Sequence, residues 1–551
     1  MATASTKRNR KRRPQPPPAA ARKPPAGAAA VDAPDARTGE IPERAWTYAS
    51  WAVLLLAGVL RVYAPEMKPL HHDEGVNGFF LMNLLRQGRY VYDPANYHGP
   101  TLYYLTLPVV ALAGLSTVAI RLVPALFGVG VVWLLLTLRR RVGAVAALAA
   151  AALVAVSPAC VFYSRYFIHE MPFVFFTLGL VVAALRFRET GSASHLLLAA
   201  ASAAMMFATK ETAFISLGTL GLAWLTALVW ERVRGVGRGA EGKRGGAPAG
   251  VPAKQGADGL AAAAVGAAAL FAFIWVAFYS SFFTNWKGAF WDSFKTFNIW
   301  KETGMSKFHA APVYTYVKWL LLEDAPILVL GVFGALAALF ERRRNRFVVF
   351  AAAWGFGLLT AYSLINYKTP WLVLNFIVPL AVAAGYAVQS FGGRVARAWR
   401  RPEGHWRAAA ALAAVAACVS LYQTFVVNFR EYDNDRYPYV YSQTQRQTLD
   451  LVREIEQLGA RAGTKEPGVS TASPDYWPLP WYFRDNPRAG FEGQPSSFYD
   501  PNSTLAVIGR EDQVPQLQRT LGDRYARVGD LYPLRPGVNL VLFGRRDLAG
   551  K

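Results

Sequence analysis

Long apolar runs, recurring from about residue 47 almost to residue 430, constrain this 551-residue chain more than any other feature. Each approaches or exceeds the length that crosses a hydrocarbon core roughly 30 Å thick. Backbone polar groups in lipid must be bonded within the protein, and runs this rich in Ala, Leu and Val predict helices rather than barrel strands. Few of them carry the polar stripe of a soluble amphipathic helix. The chain is therefore expected to be an all-α polytopic membrane protein over residues 46–430.

A formal charge of +23 raises the question of nucleic acid, but its distribution excludes that class. Six of the seven residues from Lys7 to Arg13 are basic, and "LRRRVG", "ERRRNR" and "RVARAWRRPEGHWR" sit in short connections between apolar runs. That is the positive-inside pattern of a protein whose partner is the lipid bilayer. Residues 1–45, rich in Pro, Ala and basic residues, predict a disordered cytoplasmic segment. Without a cleavage pattern after them, the first run is an uncleaved anchor. Cys160 and Cys418 lie in or beside apolar segments and suggest neither a disulfide framework nor a metal site.

Threading starts with the basic N-terminus inside. Runs 47–63, 119–138, 143–159, 171–187, 195–209, 213–230, 259–283, 312–340, 347–365, 371–391 and 407–428 give about eleven spans. The short run 100–116, preceded by one Pro and interrupted by another, is expected to be re-entrant or interfacial, which keeps Arg139–Arg141 inside. Every later basic connection then also falls inside. Residues 64–118 become a long first external loop, and residues 431–551 lie on the outer, periplasmic or extracellular, side of an inner (plasma) membrane. In that tail "TQRQTLDLVREIEQLGARAG" has helical periodicity with a Gly stop, while "STLAVIG" and "GVNLVLFG" are short strand-like runs. They predict a small external α/β domain. The aromatics of "SPDYWPLPWYFRD" suit packing, a place on the membrane interface or the lining of a sugar groove, and packing is the expected reading.

The polar exceptions gather at the outer face. The first loop supplies "KPLHHDEGVNGFF", with His71, His72, Asp73 and Glu74, and "YHGP", with Tyr97 and His98. "YSRYFIHEMP" adds Arg165, His169 and Glu170; "ATKETAF" adds Lys210 and Glu211; "LINYKTPW" adds Tyr367 and Lys368; and Arg121 opens the second span. Charges at membrane depth cost roughly 2.5–3.5 kcal/mol each on insertion scales, so they normally face a cavity and partners. Each has a plainer alternative. Asp73 and Glu74 suit a helix N-terminus, Lys210 and Glu211 suit a loop ion pair, and Arg165 suits an interfacial anchor. His71, His72, His98 and His169, with the nearby carboxylates, also form a candidate set for a divalent metal such as Mg, Mn or Zn, although adjacent histidines lack i, i+4 spacing.

Carboxylates beside cations at such a face suit one chemistry. A carboxylate removes a proton from an acceptor hydroxyl, worth roughly 10²–10⁴ in rate, while Arg and Lys stabilise a departing phosphate. A lipid-borne phosphate carrying a sugar combines both needs.

The order "HHDEGVNGFF", "YHGPTLYYLT", "AIRLVPALFG", "SRYFIHEMP", "ATKETAF" resembles the GT-C class of integral-membrane glycosyltransferases. It is similar to dolichyl-phosphate-mannose–protein mannosyltransferases and bacterial aminoarabinose transferases. "NYKTPW" and "DYWPLPWYFRD" add a likeness to a prokaryotic branch described as flippase-activity-associated. The resemblance implies inverting transfer of a sugar from a polyprenyl-phosphate donor to a lipid, glycan or protein acceptor. It implies Asp73 as base, Glu74 as its neighbour and Glu170 as a second carboxylate. Arg165, Lys210, Lys368 and Arg121 would hold the donor phosphate, with Tyr97, His98, Glu211 and Tyr367 lining the substrate. Other glycan-export proteins are the partners this branch suggests. The histidine pair before the acids departs from the mannosyltransferase pattern, and the tail shows no β-trefoil module. A flippase needs the cations but no base; a secondary transporter needs paired broken helices and midplane charges, of which the sequence shows neither.

Overall fold

The computed structural model describes residues 41–96, 98–234, 257–305, 310–341, 345–400 and 404–550. Among them eight helices are long and apolar enough to cross a membrane, and ten if each of two bent pairs is one span. The difference from the expected eleven lies at 195–209, where the helix Ala193–Thr209 has only 17 residues. The run 100–116 forms the helix Thr101–Ala113, 13 residues long and too short to span. The segments expected at 1–40, 235–256, 342–344 and 401–403 lie outside the described residues.

Two expected spans are broken. Ala144–Ala155 bends by 57° into Pro158–Ser164, and Thr315–Glu323 turns by 110° into Ala325–Phe340. In each case a proline, Pro158 or Pro326, stands in the first turn of the second piece, where its missing N–H costs nothing. The capping residue ahead of it, Ser157 or Asp324, has left the helical region. The carbonyls freed at the first break are met by a buried cation from the first span. Arg61 donates to the carbonyls of Ala155 at 3.0 Å and Val154 at 3.2 Å, and to Ser164 Oγ at 3.1 Å. An arginine inside a membrane helix is thereby satisfied.

The span Pro370–Ala398 is almost wholly enclosed by its neighbours. Small residues let them approach: a Cβ on Gly334 would stand 1.8 Å from the Ala383 carbonyl, and one on Gly385 2.1 Å from that of Ala146.

The C-terminal region builds a five-stranded sheet from β1 (Val469–Thr471), β2 (Ala489–Phe491), β3 (Ala506–Arg510), β4 (Tyr525–Arg535) and β5 (Val538–Arg545), in the order β2-β1-β3-β5-β4. β1 runs parallel to β2 and β3, whereas β5 is antiparallel to β3 and β4. The helix Thr448–Arg461 buries Leu451, Ile455 and Leu458, spaced at i, i+4, i+7, with Leu505, Ile508 and Leu542 in one core. The fold is thus a helical membrane unit carrying a small α/β domain.

Candidate active site

The first loop is built around the helix His72–Gln87. His71 caps it, accepting the Asp73 N–H on Nδ1 at 3.1 Å, while Glu74 reaches back to the His71 N–H at 2.9 Å. This reciprocally capped helix ends at Gly88, whose φ of 71° provides the left-handed stop. Gly75 and Gly78 make one face of the helix flat. A Cβ there would lie 2.7 Å from Pro478 and 2.6 Å from the Trp481 ring, so the C-terminal domain rests directly on this helix. Trp481 is fully buried among Leu70, Leu81 and Tyr103, with its indole N–H on Thr117 Oγ1 at 3.2 Å. The aromatics of "SPDYWPLPWYFRD" therefore pack, but largely against the membrane unit. Arg535 of β4 extends the contact, its guanidinium meeting Asp475 and lying 3.4 Å from His72 Nδ1.

Glu74 and Arg121, expected to act on substrate, instead bind each other. Arg121 Nε donates to Glu74 Oε1 at 2.8 Å and Nη2 to Oε2 at 2.6 Å, with both side chains fully buried. The remaining Arg121 hydrogens go to the carbonyls of Pro65, Lys68 and Pro69, and Glu74 also accepts the Phe167 N–H. Burial opposes the Glu74 charge, but Arg121 outweighs it and holds the carboxyl below its usual range. Arg165 likewise faces away from substrate space. It donates to the carbonyls of Leu60, Tyr63 and Ala64 at the end of the first span and stacks on Phe429. These three side chains pin the loop to the bundle.

The other carboxylates converge. A cavity of about 210 Å³ is lined by Asp73, His98, His169, Glu170, Lys210 and Glu211, closed on another side by Tyr362, Tyr367 and Trp371. Lys210 Nζ donates to Glu170 Oε1 at 2.5 Å, and His98 Nδ1 lies 3.0 Å from Glu211 Oε2. Burial opposes the Lys210 charge, yet Glu170 and Glu211 hold its pKa above the ordinary lysine value. Glu211 is held below its usual range by His98 and Lys210, against burial. His169 packs on His98 at 4.8 Å between ring centroids and is kept neutral by burial, then by His98 and Lys210.

Asp73 differs from both paired carboxylates. Among the described residues its one neighbour at ion-pair distance is the His71 ring at 4.0 Å, which burial keeps neutral, with a pKa of about 3. The Asp73 side chain is 40% accessible, but it opens into the cavity. Enclosure by protein, then the nearby Glu170, raise its pKa to about 6 against His98 and Lys210. Such a group is ionised at neutral pH while remaining basic enough to accept a proton.

Tyr367 lines the same cavity. Lys368 does not: it is buried beside it, with Nζ on the Ile365 carbonyl at 2.6 Å. Tyr97 lies outside the described residues. The four histidines divide between surroundings. His71 packs on Tyr166 and Trp371, His72 on Trp477, and only His98 and His169 meet. Among the described residues no three His, Cys, Asp or Glu side chains are grouped to hold a metal ion. Arg535 and Asp475 were missed in the sequence because nothing in a strand 463 residues after His72 marks it as the histidine's neighbour.

Residues 97–236 match the family model described as dolichyl-phosphate-mannose-protein mannosyltransferase. No curated protein matches the chain. Among solved structures, ArnT from Cupriavidus metallidurans bound to undecaprenyl phosphate is 15% identical with a TM-score of 0.57, the alignment covering 93% of this chain and 100% of that one. ArnT from Cupriavidus metallidurans in the apo state gives 14%, 0.58, 92% and 99%. An Archaeoglobus fulgidus oligosaccharyltransferase tethered with an acceptor peptide gives 13%, 0.50, 88% and 73%. The architecture is that of the GT-C glycosyltransferases, and the matched family model and these structural neighbours are all glycosyltransferases.

Proposed function

We propose that this protein is a glycosyltransferase that moves a sugar from a polyprenyl-phosphate donor to a hydroxyl acceptor at the outer membrane face, with Asp73 as base. The observation that carries this is the contrast within one cavity: Glu170 and Glu211 are each hydrogen-bonded to a lysine or an imidazole, while Asp73 lies 4.0 Å from an imidazole that burial keeps neutral, and its pKa is raised to about 6. The acceptor oxygen attacks the anomeric carbon, its proton passes to an Asp73 oxygen, and the bond from that carbon to the phosphate oxygen breaks. Attack opposite the leaving group inverts the anomeric centre. Lys210, fixed at the cavity wall by Glu170, faces the charge that grows on the departing polyprenyl phosphate. The undecaprenyl phosphate held by the ArnT neighbour supports a lipid phosphate as the donor class.

The test uses purified protein in lipid with a panel of radiolabelled polyprenyl-phosphate sugars and periplasmic extract as acceptor. Release of polyprenyl phosphate with one member of the panel, and an inverted anomeric centre in the product, is the expected result. Movement of intact donor across the bilayer without cleavage would replace transfer by a flippase activity.

A further inference from the structure

The C-terminal region carries a second cavity, a groove of about 380 Å³ that opens to solvent. Three stretches far apart in sequence wall it. Residues 433–435 stand just beyond the π-helical turn Val426–Arg430 that closes the last span, and residues 445–447 stand ahead of the helix Thr448–Arg461. Pro533, Arg535 and Asn539 come from the turn between β4 and β5. The three are tied together. The Gln445 N–H donates to the Leu534 carbonyl at 2.9 Å, Gln445 Nε2 to the Asp433 carbonyl at 2.7 Å, and Thr448 Oγ1 to the Pro533 carbonyl at 2.9 Å. The groove is thus built in advance of any ligand, which lowers the ordering cost of binding.

Its lining decides the class of ligand. Small-molecule pockets are mostly apolar with a few polar groups. Here charged and amide side chains dominate, among them Asp433, Asp435, Arg446, Gln447, Arg535 and Asn539. Both arginines are already paired. Arg446 forks onto Asp433, with Nε at 2.7 Å and Nη2 at 2.5 Å, and lies over the Tyr432 ring, while half of its side chain stays exposed. Arg535 is held by Asp475, to which Arg510 also donates at 2.9 Å. An anion would have to compete with a carboxylate for either guanidinium, and a cation would meet both arginines. A hydroxyl avoids the conflict: it donates to carboxylate and amide oxygens and accepts from amide and guanidinium N–H groups. The array suits a neutral, hydroxyl-rich ligand.

Arg535 joins this groove to the candidate active site. Its guanidinium lies 3.4 Å from Nδ1 of His72, which lines the first cavity beside Asp73. We infer that the groove holds the acceptor, a neutral oligosaccharide whose reacting hydroxyl reaches Asp73 while the sugar units behind it lie past Arg535. This rests on the transfer reading above and names its acceptor class. Contacts remote from the reacting oxygen hold it in place for attack.

The full chain in lipid nanodiscs, without donor, tests this by isothermal titration with short glucan, mannan and galactan oligomers, and with oligogalacturonate as the acidic control. A neutral oligomer should bind wild type more tightly than the acidic one. Asp435→Ala combined with Gln447→Ala, both on the exposed rim, should weaken that binding about tenfold or more and leave thermal unfolding unchanged. With donor present, the same double variant should raise the acceptor KM far more than it lowers kcat. Wild type that binds none of the neutral oligomers, or prefers the acidic one, overturns the inference, as does a double variant that binds like wild type. Groove-dependent binding with no cleavage of donor would uphold the site and remove the transfer reading instead.

Discussion

Removing Arg121 should reverse the pH dependence of stability. Its guanidinium makes two contacts of 2.6–2.8 Å with Glu74, and both groups are fully enclosed. Arg121→Gln leaves Glu74 with only the His71 and Phe167 amides, a buried carboxylate without its cation. Breaking such a pair from one side costs about 3–5 kcal/mol. In wild type the Glu74 pKa is depressed, so its stabilisation is present above the ordinary glutamate value and fades as pH falls through the depressed one. Without Arg121, desolvation dominates and the folded pKa rises above the unfolded one. The penalty is then full at high pH and relieved as pH falls toward the ordinary value. Unfolding free energies of Arg121→Gln, Glu74→Gln and the double variant, measured in bicelles between pH 4 and 8, should give opposite slopes for wild type and Arg121→Gln. The double variant should cost less than the two single changes together. A loss below about 1 kcal/mol, or parallel slopes, would refute the pairing. So would a Glu74→Gln protein of unchanged stability that had lost turnover, since Glu74 would then be a reacting group.

Gly78→Val should force the Trp481 ring from the loop helix and destabilise the chain by about 1–3 kcal/mol, checked by thermal unfolding; Gly58, with open space around it, should tolerate alanine without change. The acid limb of kcat/KM should fall at about pH 6, with activity present above it because the base must be ionised. Glu170→Gln should move that limb to lower pH, since Glu170 is the largest charge raising Asp73, and a limb that stays in place would assign it to another group.

The membrane architecture was legible because apolar length and the positions of basic clusters report directly on lipid. The breaks were less so. The apolar run continues across Ser157-Pro158, and the run 312–340 stays apolar enough overall that "LLEDAP" falls inside one span, although its adjacent acids mark the 110° turn. In the candidate site, "HHDE" could be located but not divided. Asp73 and Glu74 are neighbours in sequence, yet on a helix they point about 100° apart, so one faces the cavity and the other Arg121. The arginines were ambiguous for a related reason. Arg121 and Arg165, and with them Arg61, which the sequence did not single out, end on backbone carbonyls freed by breaks and loops, which no residue pattern announces.

The most direct measurement is a single-turnover comparison of wild type and Asp73→Asn, with donor binding followed separately from release of polyprenyl phosphate. Equal donor binding, with release slowed by roughly 10²–10⁴ in Asp73→Asn, is the predicted result. Equal release by the two proteins would contradict Asp73 as the base.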